Sequence, residues 1–251
     1  MMKGDAVQSE YDAFAPDYHW LFSDYAATSE AFYQRYREVF ESLPPDASIL
    51  DCACGTGLQA LALARQGYRV RGTDASGGMI EQAREGLAVR FDRASWEDLP
   101  RTLSERFDLA ICCGNSIGHC RDEGEMTRSL RGIRDVLKEG SAAIVDSRNW
   151  EKVLAERPRF QALTARKRGG VRCLPLYVWS LPDKWGEPVV IEIVLIFEEG
   201  DRTSCRSHRF TYYPFRVGEL IARLKAAGFI EVETDYSETK DLYSVTACRE
   251  P

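Results

Sequence analysis

The stretch Ile49-Leu50-Asp51-Cys52-Ala53-Cys54-Gly55-Thr56-Gly57 decides how this 251-residue chain folds. Ser48-Ile49-Leu50-Asp51 is a short apolar run that follows the break at Pro44-Pro45, and it reads as a buried strand. Two glycines at a spacing of two come next, and a helical pattern over Leu58 to Gln66 starts at once and stops at Gly67. Glycine at such a place lets the backbone turn tightly and leaves no Cβ in the way of a ligand. Working outward, Tyr68 to Thr73 reads as a second strand and Met79 to Glu85 as a second helix, opened by Ser76. Phe107 to Cys113 is a long apolar strand. An amphipathic helix over roughly 123–139 follows, with Gly140 as its C-cap, and then a strand over Ala142 to Asp146. Strands separated by single helices imply right-handed crossovers and a parallel sheet with helices on both faces. The expected class is therefore α/β, a Rossmann-like sheet.

The flanks read differently. Residues 28–43 look helical, opened by Thr28 or Ser29 and closed before Pro44, so that 1–45 forms an N-terminal helical cap on a core of 46–150. Beyond 150, Val171–Ser180, Val189–Phe197 and Thr203–Tyr213 read as strands joined by turns, an antiparallel β-element inserted over 160–215 as a lid or an interface. A helix over 216–227 leads through Gly228 to two closing strands, Phe229–Tyr236 and Leu242–Cys248. The whole of 1–251 is expected to be one domain.

The formal net charge is −6 and the pI near 5.3, which argues against a nucleic-acid partner, because binding to phosphates needs net positive charge. The most apolar stretch, Val189 to Phe197, is short and interrupted by Glu192, so no membrane span is expected. Met1-Met2-Lys3-Gly4-Asp5 leads into polar residues rather than an apolar leader, which points to a cytoplasmic protein. The eight cysteines then read as free thiols, small residues buried at strand ends. Their spacing lacks a second pair at zinc distance, so no metal is expected.

Seventeen residues beyond Gly57, Asp74 ends the second strand, where a carboxylate can accept hydrogen bonds from ribose hydroxyls. Two cofactor classes fit this arrangement. Gly55-Thr56-Gly57-Leu58-Gln59-Ala60 satisfies the dinucleotide fingerprint of NAD enzymes, which would make the chain an oxidoreductase. Asp51 favours the other class. A negative charge just before the loop repels a pyrophosphate but suits the cationic amino-acid end of S-adenosylmethionine (SAM).

The Asp51–Gly57 segment resembles motif I of the class I SAM-dependent methyltransferases. Asp74-Ala75-Ser76 resembles their ribose-binding motif, and Ala94-Ser95-Trp96 their adenine-contacting segment. Further on, Cys113-Gly114-Asn115-Ser116-Ile117-Gly118-His119, Asp146-Ser147-Arg148-Asn149-Trp150 and Tyr212-Tyr213-Pro214 resemble elements of the glycine N-methyltransferase family and its glycine/sarcosine relatives. The resemblance implies a SAM site made by Asp51, Ala53, Gly55, Gly57, Asp74, Ala75, Ser95, Trp96, Cys113 and His119. It implies that Arg148 binds the carboxylate of a small amine acceptor and that Asn115 shares it. The activity expected is methyl transfer to a nitrogen, on an amino acid such as glycine or sarcosine. The relatives form oligomers through comparable insertions, so a homo-oligomer is a further expectation.

The residue chemistry agrees with those roles. A guanidinium offers two parallel N–H bonds to a carboxylate, and an asparagine amide can donate another. Each residue also has a plainer reading. Arg148 can pair with Asp146 or Glu151 at the surface, Asn115 can cap a turn, and Trp96 can fill the core. His119 can serve as a base, contact the cofactor, or be structural, whereas His19 and His208 carry no motif. The basic run Arg166-Lys167-Arg168 reads as a solvated loop, with the alternative that it greets an anionic substrate.

Two departures from the family pattern matter. Between Trp20 and Gln34 there is no Lys or Arg to grip the methionine carboxylate, and Phe14 stands where a family tyrosine is expected. A specialised-metabolite amine or hydroxyl is therefore the alternative acceptor. Tyr11, Tyr18, Trp20 and Tyr25 are candidates to close over the cofactor, since aromatic faces favour a sulfonium.

Overall fold

The structure is a computed structural model that describes residues 5–22, 24–83 and 89–251. It begins with α1 (Asp5–Phe14), a 3-10 turn (Tyr18–Leu21), α2 (Tyr25–Arg35) and α3 (Arg37–Glu41). The alternating part runs β1 (Ser48–Asp51), α4 (Leu58–Arg65), β2 (Arg69–Asp74), α5 (Gly77–Gln82), β3 (Arg90–Arg93), a 3-10 turn (Trp96–Asp98) and α6 (Leu99–Thr102). It continues through β4 (Phe107–Cys112), a 3-10 turn (Ser116–His119), α7 (Glu123–Asp135), β5 (Leu137–Arg148) and α8 (Trp150–Glu156). Then come β6 (Phe160–Ala162), β7 (Arg166–Arg168), β8 (Val171–Ser180), β9 (Val189–Glu199) and β10 (Arg202–Tyr212), and finally α9 (Val217–Ala226), β11 (Phe229–Thr234) and β12 (Leu242–Arg249).

Seven strands form one sheet in the order β11-β12-β5-β4-β1-β2-β3. The pairs among β5, β4, β1, β2 and β3 are parallel, and β12 runs antiparallel between β5 and β11. The chain leaves β1 in one direction for β2 and β3 and returns on the other side for β4 and β5. That reversal opens a crevice at the carboxyl ends of β1 and β4, where ligands bind in open α/β sheets. Strands β10-β9-β8-β6, with β7 paired to β8, make a second, antiparallel sheet. Its inward residues, among them Cys173, Ile191, Leu195 and Phe210, share one core with Leu50, Ala110 and Val145 of the first sheet and with Phe14 of α1. The opposite face of the seven-stranded sheet packs Ile49, Leu109 and Ile111 against Phe40 and Leu63. The inserted sheet and α1 with the turn after it thus lie over the same face and close the crevice between them, whereas α2 and α3 lie on the other.

Several boundaries differ from the sequence reading. The expected helix over 28–43 is two helices, broken at Tyr36 (φ −115°, ψ 17°). It starts earlier, because Asp24 rather than Thr28 or Ser29 caps it, accepting from the Ala26 and Ala27 amides at 2.8 and 3.3 Å. Helix α7 stops at Asp135, and Gly140 is not its cap but a residue of β5 with φ +71°. The reason is burial. Val136 and Leu137 are wholly enclosed, and pairing of Leu137 with Phe107 draws them out of the helix into the sheet. Strand β3 escaped the pattern because Arg90-Phe91-Asp92-Arg93 is a polar edge, held partly by the 2.7 Å ion pair between Arg71 and Asp92. The basic run Arg166-Lys167-Arg168 is strand β7 rather than a solvated loop. The second helix spans Gly77–Gln82, and its expected end at Glu85 lies outside the described residues.

Candidate active site

A cavity of about 550 Å³ opens at the carboxyl ends of β1, β2 and β4. Of the ten residues singled out for the cofactor, Ala53, Gly55, Asp74, Ala75, Ser95, Trp96, Cys113 and His119 line it, whereas Asp51 and Gly57 do not. Gly55 (φ +52°) presents bare backbone, and the nearest group to its missing Cβ is the Tyr18 ring at 3.8 Å. Gly57 serves the fold instead. At φ +85° it precedes α4, and a Cβ there would come within 2.9 Å of Phe91. Trp96 is tied down by its indole N–H, which donates to the Cys52 carbonyl at 2.7 Å, so the ring is a fixed part of the wall.

Asp74 joins the loop to α5. One carboxylate oxygen accepts from the Gly55 amide and the other from the Ser76 amide, each at 2.9 Å. Burial raises its pKa and these amide bonds oppose the rise. A carboxylate oxygen can accept more than one hydrogen bond, so acceptor capacity remains toward the cavity. Asp51 sits beneath the loop. It is 1% exposed, and Oδ2 has no hydrogen-bond partner among the described residues. Desolvation, with smaller repulsions from Asp74 and Asp146, pushes its pKa up to about 7.

The far wall comes from the N-terminal segment. Tyr11 of α1 reaches across to His119, hydroxyl to Nε2, at 2.9 Å, while Nδ1 of the same ring lies 2.9 Å from the Thr211 carbonyl. A carbonyl only accepts, so Nδ1 carries the proton. Nε2 is then the acceptor and the tyrosine donates. Burial lowers the His119 pKa to about 4, which keeps the ring neutral. With both nitrogens engaged, His119 is a poor base and a good anchor. Helix α1 is itself fixed by Asp12, which accepts from Ser76 Oγ at 2.6 Å and from the Gly78 amide at 2.8 Å. Tyr18 and Phe22 complete this wall. Trp20 faces the inserted sheet instead, packing on Phe197, and the Tyr25 hydroxyl bonds Thr56 Oγ1 at 2.6 Å.

Residues 49–140 match the family described as "Methyltransferase domain". A glycine/sarcosine N-methyltransferase of Aphanothece halophytica is 26% identical over 198 residues, which cover 76% of this chain and 70% of that protein. The glycine N-methyltransferase of Oryctolagus cuniculus is 32% identical over 125 residues, but the match spans only 43% of this chain and 42% of the rabbit protein. The chain is a SAM-dependent methyltransferase. Its fold is shared along the full length by DesVI of Streptomyces venezuelae, with a TM-score of 0.75, 20% identity and 99% of each chain covered. SAM-bound CalS10 of Micromonospora echinaspora has a TM-score of 0.73 at 17% identity, over 94% of this chain and 96% of that one. These findings set aside the NAD-linked reading of the glycine loop.

The methyltransferase keeps its two acceptor candidates off the cavity wall. Asn115, at the left-handed φ of +61°, is 6% exposed and ties two strand ends together. Its backbone N–H donates to Asp146 Oδ1 at 2.8 Å, and its side-chain oxygen accepts from the Arg148 amide at 2.9 Å and Ser147 Oγ at 3.3 Å. The oxygen is thereby spent on structure, and the amide nitrogen is the atom left to donate. Arg148 pairs with neither Asp146 nor Glu151, the partners of its plainer reading. Its guanidinium lies over the Trp179 ring at 4.9 Å, and Nε is buried with no partner. Among the described residues no carboxylate forms an ion pair with it. Burial raises the pKa values of Tyr177 and Tyr212 and the nearby Arg148 charge partly opposes the rise, while the Tyr212 ring lies 4.3 Å from that of His119. Arg148 therefore stands one aromatic layer behind the cavity.

Some cavity residues carried no signal in the sequence. Met79 and Cys120 reach the wall only through the packing of α5 and of the turn after β4. Six of the cysteines are buried free thiols, and burial raises the pKa of Cys52, Cys54, Cys113 and Cys120, all of which line the cavity. Among the described residues no group of three His, Cys, Asp or Glu gathers to hold a metal, and no helix is long and apolar enough to cross a membrane.

Proposed function

We propose that this methyltransferase acts on the nitrogen of a small amine that carries a carboxylate, glycine and sarcosine being the simplest. The observation that supports the reading is Arg148, a half-buried guanidinium with an unpartnered Nε and no counter-charge among the described residues. A cation withdrawn from water without a partner is costly, and an anionic group of the acceptor would remove that cost. Trp179 Nε1, also buried and unpartnered, is a second donor on the ring beneath it. The Asn115 amide nitrogen would add a third.

In this reading SAM supplies an electrophilic methyl group on its sulfonium. Gly55 gives backbone clearance, and Asp74 would hold the ribose hydroxyls. Trp96 would border the adenine. Asp51, Ala53, Gly57, Ala75, Ser95 and Cys113 would shape the rest. Tyr11, its proton committed to His119, would turn oxygen lone pairs toward the reacting centre. The acceptor ammonium would lose its proton to water. Alignment, rather than a protein base, would supply most of the rate.

Release of S-adenosylhomocysteine on incubation with SAM and a panel of amines tests this. Turnover on glycine or sarcosine is expected. Arg148→Ala should raise the acceptor KM by about 10- to 100-fold and leave SAM affinity within a factor of about two. Equal loss of SAM affinity would remove Arg148 from the acceptor site.

A second reading takes a larger amine, such as an amino sugar. What favours it is the inserted sheet, which places Tyr177 and Trp179 beside Arg148, together with the shared fold of CalS10, an amino pentose methyltransferase, and KedS8, a sugar N-methyltransferase. Turnover on amino sugars but not on amino acids would select it. Homo-oligomer formation through the inserted sheet is a separate proposal, checked by light scattering.

A further inference from the structure

One short turn carries two of the aromatic residues that wall the cavity. Tyr18 opens the 3-10 turn Tyr18–Leu21 and lies against Gly55, and Phe22 follows directly after it. The turn is gripped at both ends by basic side chains of the inserted sheet. At its start, Asp17 is 4% exposed and takes Arg206 at 2.9 Å on one oxygen and His208 at 3.0 Å on the other, both from β10. At its end, one guanidinium nitrogen of Arg168 in β7 donates to the His19 carbonyl at 3.1 Å and to the Phe22 carbonyl at 3.0 Å. Arg166 donates to the Leu21 carbonyl at 3.4 Å. The Trp20 ring is held between the two, with Arg168 at 5.7 Å and Phe197 of β9 at 5.5 Å.

The pattern of charge suits the turn. Cations stand at the end of the turn, where its carbonyls accept from them. Gly55 is fixed by the seven-stranded sheet, whereas the Tyr18 ring above it is fixed by the inserted one. The spacing between the floor and roof of the cavity is thus set by contacts between two sheets. Strand β7 pairs with β8, which carries Trp179 beneath Arg148. The roof over the cofactor and the platform under the acceptor candidate belong to one hydrogen-bonded sheet.

We propose that Arg168, supported by Arg166 and by the Asp17–Arg206 pair, is a positioning residue for methyl transfer: it holds Tyr18 and Phe22 against the bound SAM. This rests on the reading of the cavity as the SAM site. The run Arg166-Lys167-Arg168 then serves neither as a solvated loop nor as a landing strip for substrate, but as a clasp on the cofactor's roof.

The test combines SAM titration by calorimetry with steady-state kinetics on Arg168→Ala. SAM dissociation should weaken by about tenfold or more, while the acceptor KM moves by less than about threefold. Arg168→Gln, which keeps one amide donor near the carbonyls, should recover part of the loss. The double variant Tyr18→Ala/Arg168→Ala should lose clearly less SAM affinity than the sum of the two single losses, because Arg168 acts through Tyr18 as well as Phe22. A merely structural role would give additive losses and no rescue. Arg172→Ala, on the neighbouring strand and paired with Glu198, is the control expected to leave SAM affinity unchanged. If Arg168→Ala does not fold, Arg206→Ala is measured instead, since that side chain is more than half exposed, and the same direction of change is expected. SAM affinity within about twofold of the parent in either folded variant, or additivity in the double variant, overturns the proposal. Asp74→Asn separates the two levels. If it leaves SAM binding intact, the cavity assignment fails. If it abolishes binding while Arg168→Ala does not weaken it, only the clasp fails.

Discussion

The Tyr11 hydroxyl donates to Nε2 of His119 across 2.9 Å, joining residues 108 positions apart and fixing the phenol of the first helix against the turn after β4. The Thr211 carbonyl behind the imidazole leaves only one tautomer available, so the direction of this hydrogen bond is determined by the fold. A histidine that reads in sequence as a possible base is, by its surroundings, an anchor for a tyrosine.

Tyr11→Phe removes the hydroxyl that bonds His119 while keeping the ring on the cavity wall. The expected outcome is a fall in kcat of about 10- to 100-fold, or roughly 1.4–2.7 kcal/mol of barrier, with SAM affinity changed little. Single-turnover kinetics with saturating SAM checks it. An unchanged kcat would remove Tyr11 from the reacting centre.

His119 also gives a pH signature. Its pKa falls from about 6.5 in the unfolded chain to about 4 in the native state. The unfolded chain therefore binds the extra proton first, and stability present above pH 6.5 is lost as pH falls toward 4. The expected loss is at most about 3 kcal/mol. Urea unfolding at pH 4.5 and 7, with His119→Gln for comparison, should show a shallower acid limb in the variant. Because the native ring stays neutral above pH 5, the pH profile of kcat should carry no limb from His119 near neutrality.

Asp51 shifts the opposite way. Burial raises its pKa from the ordinary aspartate value of 3.8 to about 7. The native state holds the proton longer than the unfolded chain, so the free protein loses stability as pH rises from about 4 to 7. Asp51→Asn should flatten that slope, by at most about 4 kcal/mol across the window. If the buried carboxylate also faces the ammonium end of SAM, the variant should bind SAM more weakly at pH 8 than the parent does. Calorimetry at pH 6 and 8 reads this.

Gly132 in α7 is approached by the Trp96 carbonyl so closely that a Cβ would collide with it. Gly132→Ala should cost about 1–3 kcal/mol through forced separation of α7 from the Trp96–Asp98 turn. Thermal unfolding measures the cost. Because Trp96 moves with that carbonyl, a weaker SAM affinity should accompany it.

The parallel core was legible because each of its elements carries a local signal. Leu50-Asp51, the glycines at 55 and 57, and Asp74 at the end of β2 stand at fixed offsets, and strand and helix periods alternate around them. Polar edge elements were not legible. Strand β3 has no apolar alternation, and β7 is three basic residues whose strand character comes from pairing with β8. Gly140 misled because the chain leaves α7 under the pull of a buried Leu137, which no cap signal records.

Sequence by itself determined the α/β class, the glycine loop, the acid at the end of β2 and the cofactor class, since short-range spacing and residue chemistry suffice for each. Tertiary structure alone decided which of those residues meet the cavity. It turned Asp51 and Gly57 away from the cavity wall, spent the oxygen of Asn115 on Arg148's backbone, left the Arg148 guanidinium without a counter-charge among the described residues, and bound the Asp17–Phe22 turn to a sheet about 150 residues later. The physical reason is that hydrogen-bond partners and burial are properties of long-range neighbours, and a one-dimensional pattern carries the need for a partner but not its identity.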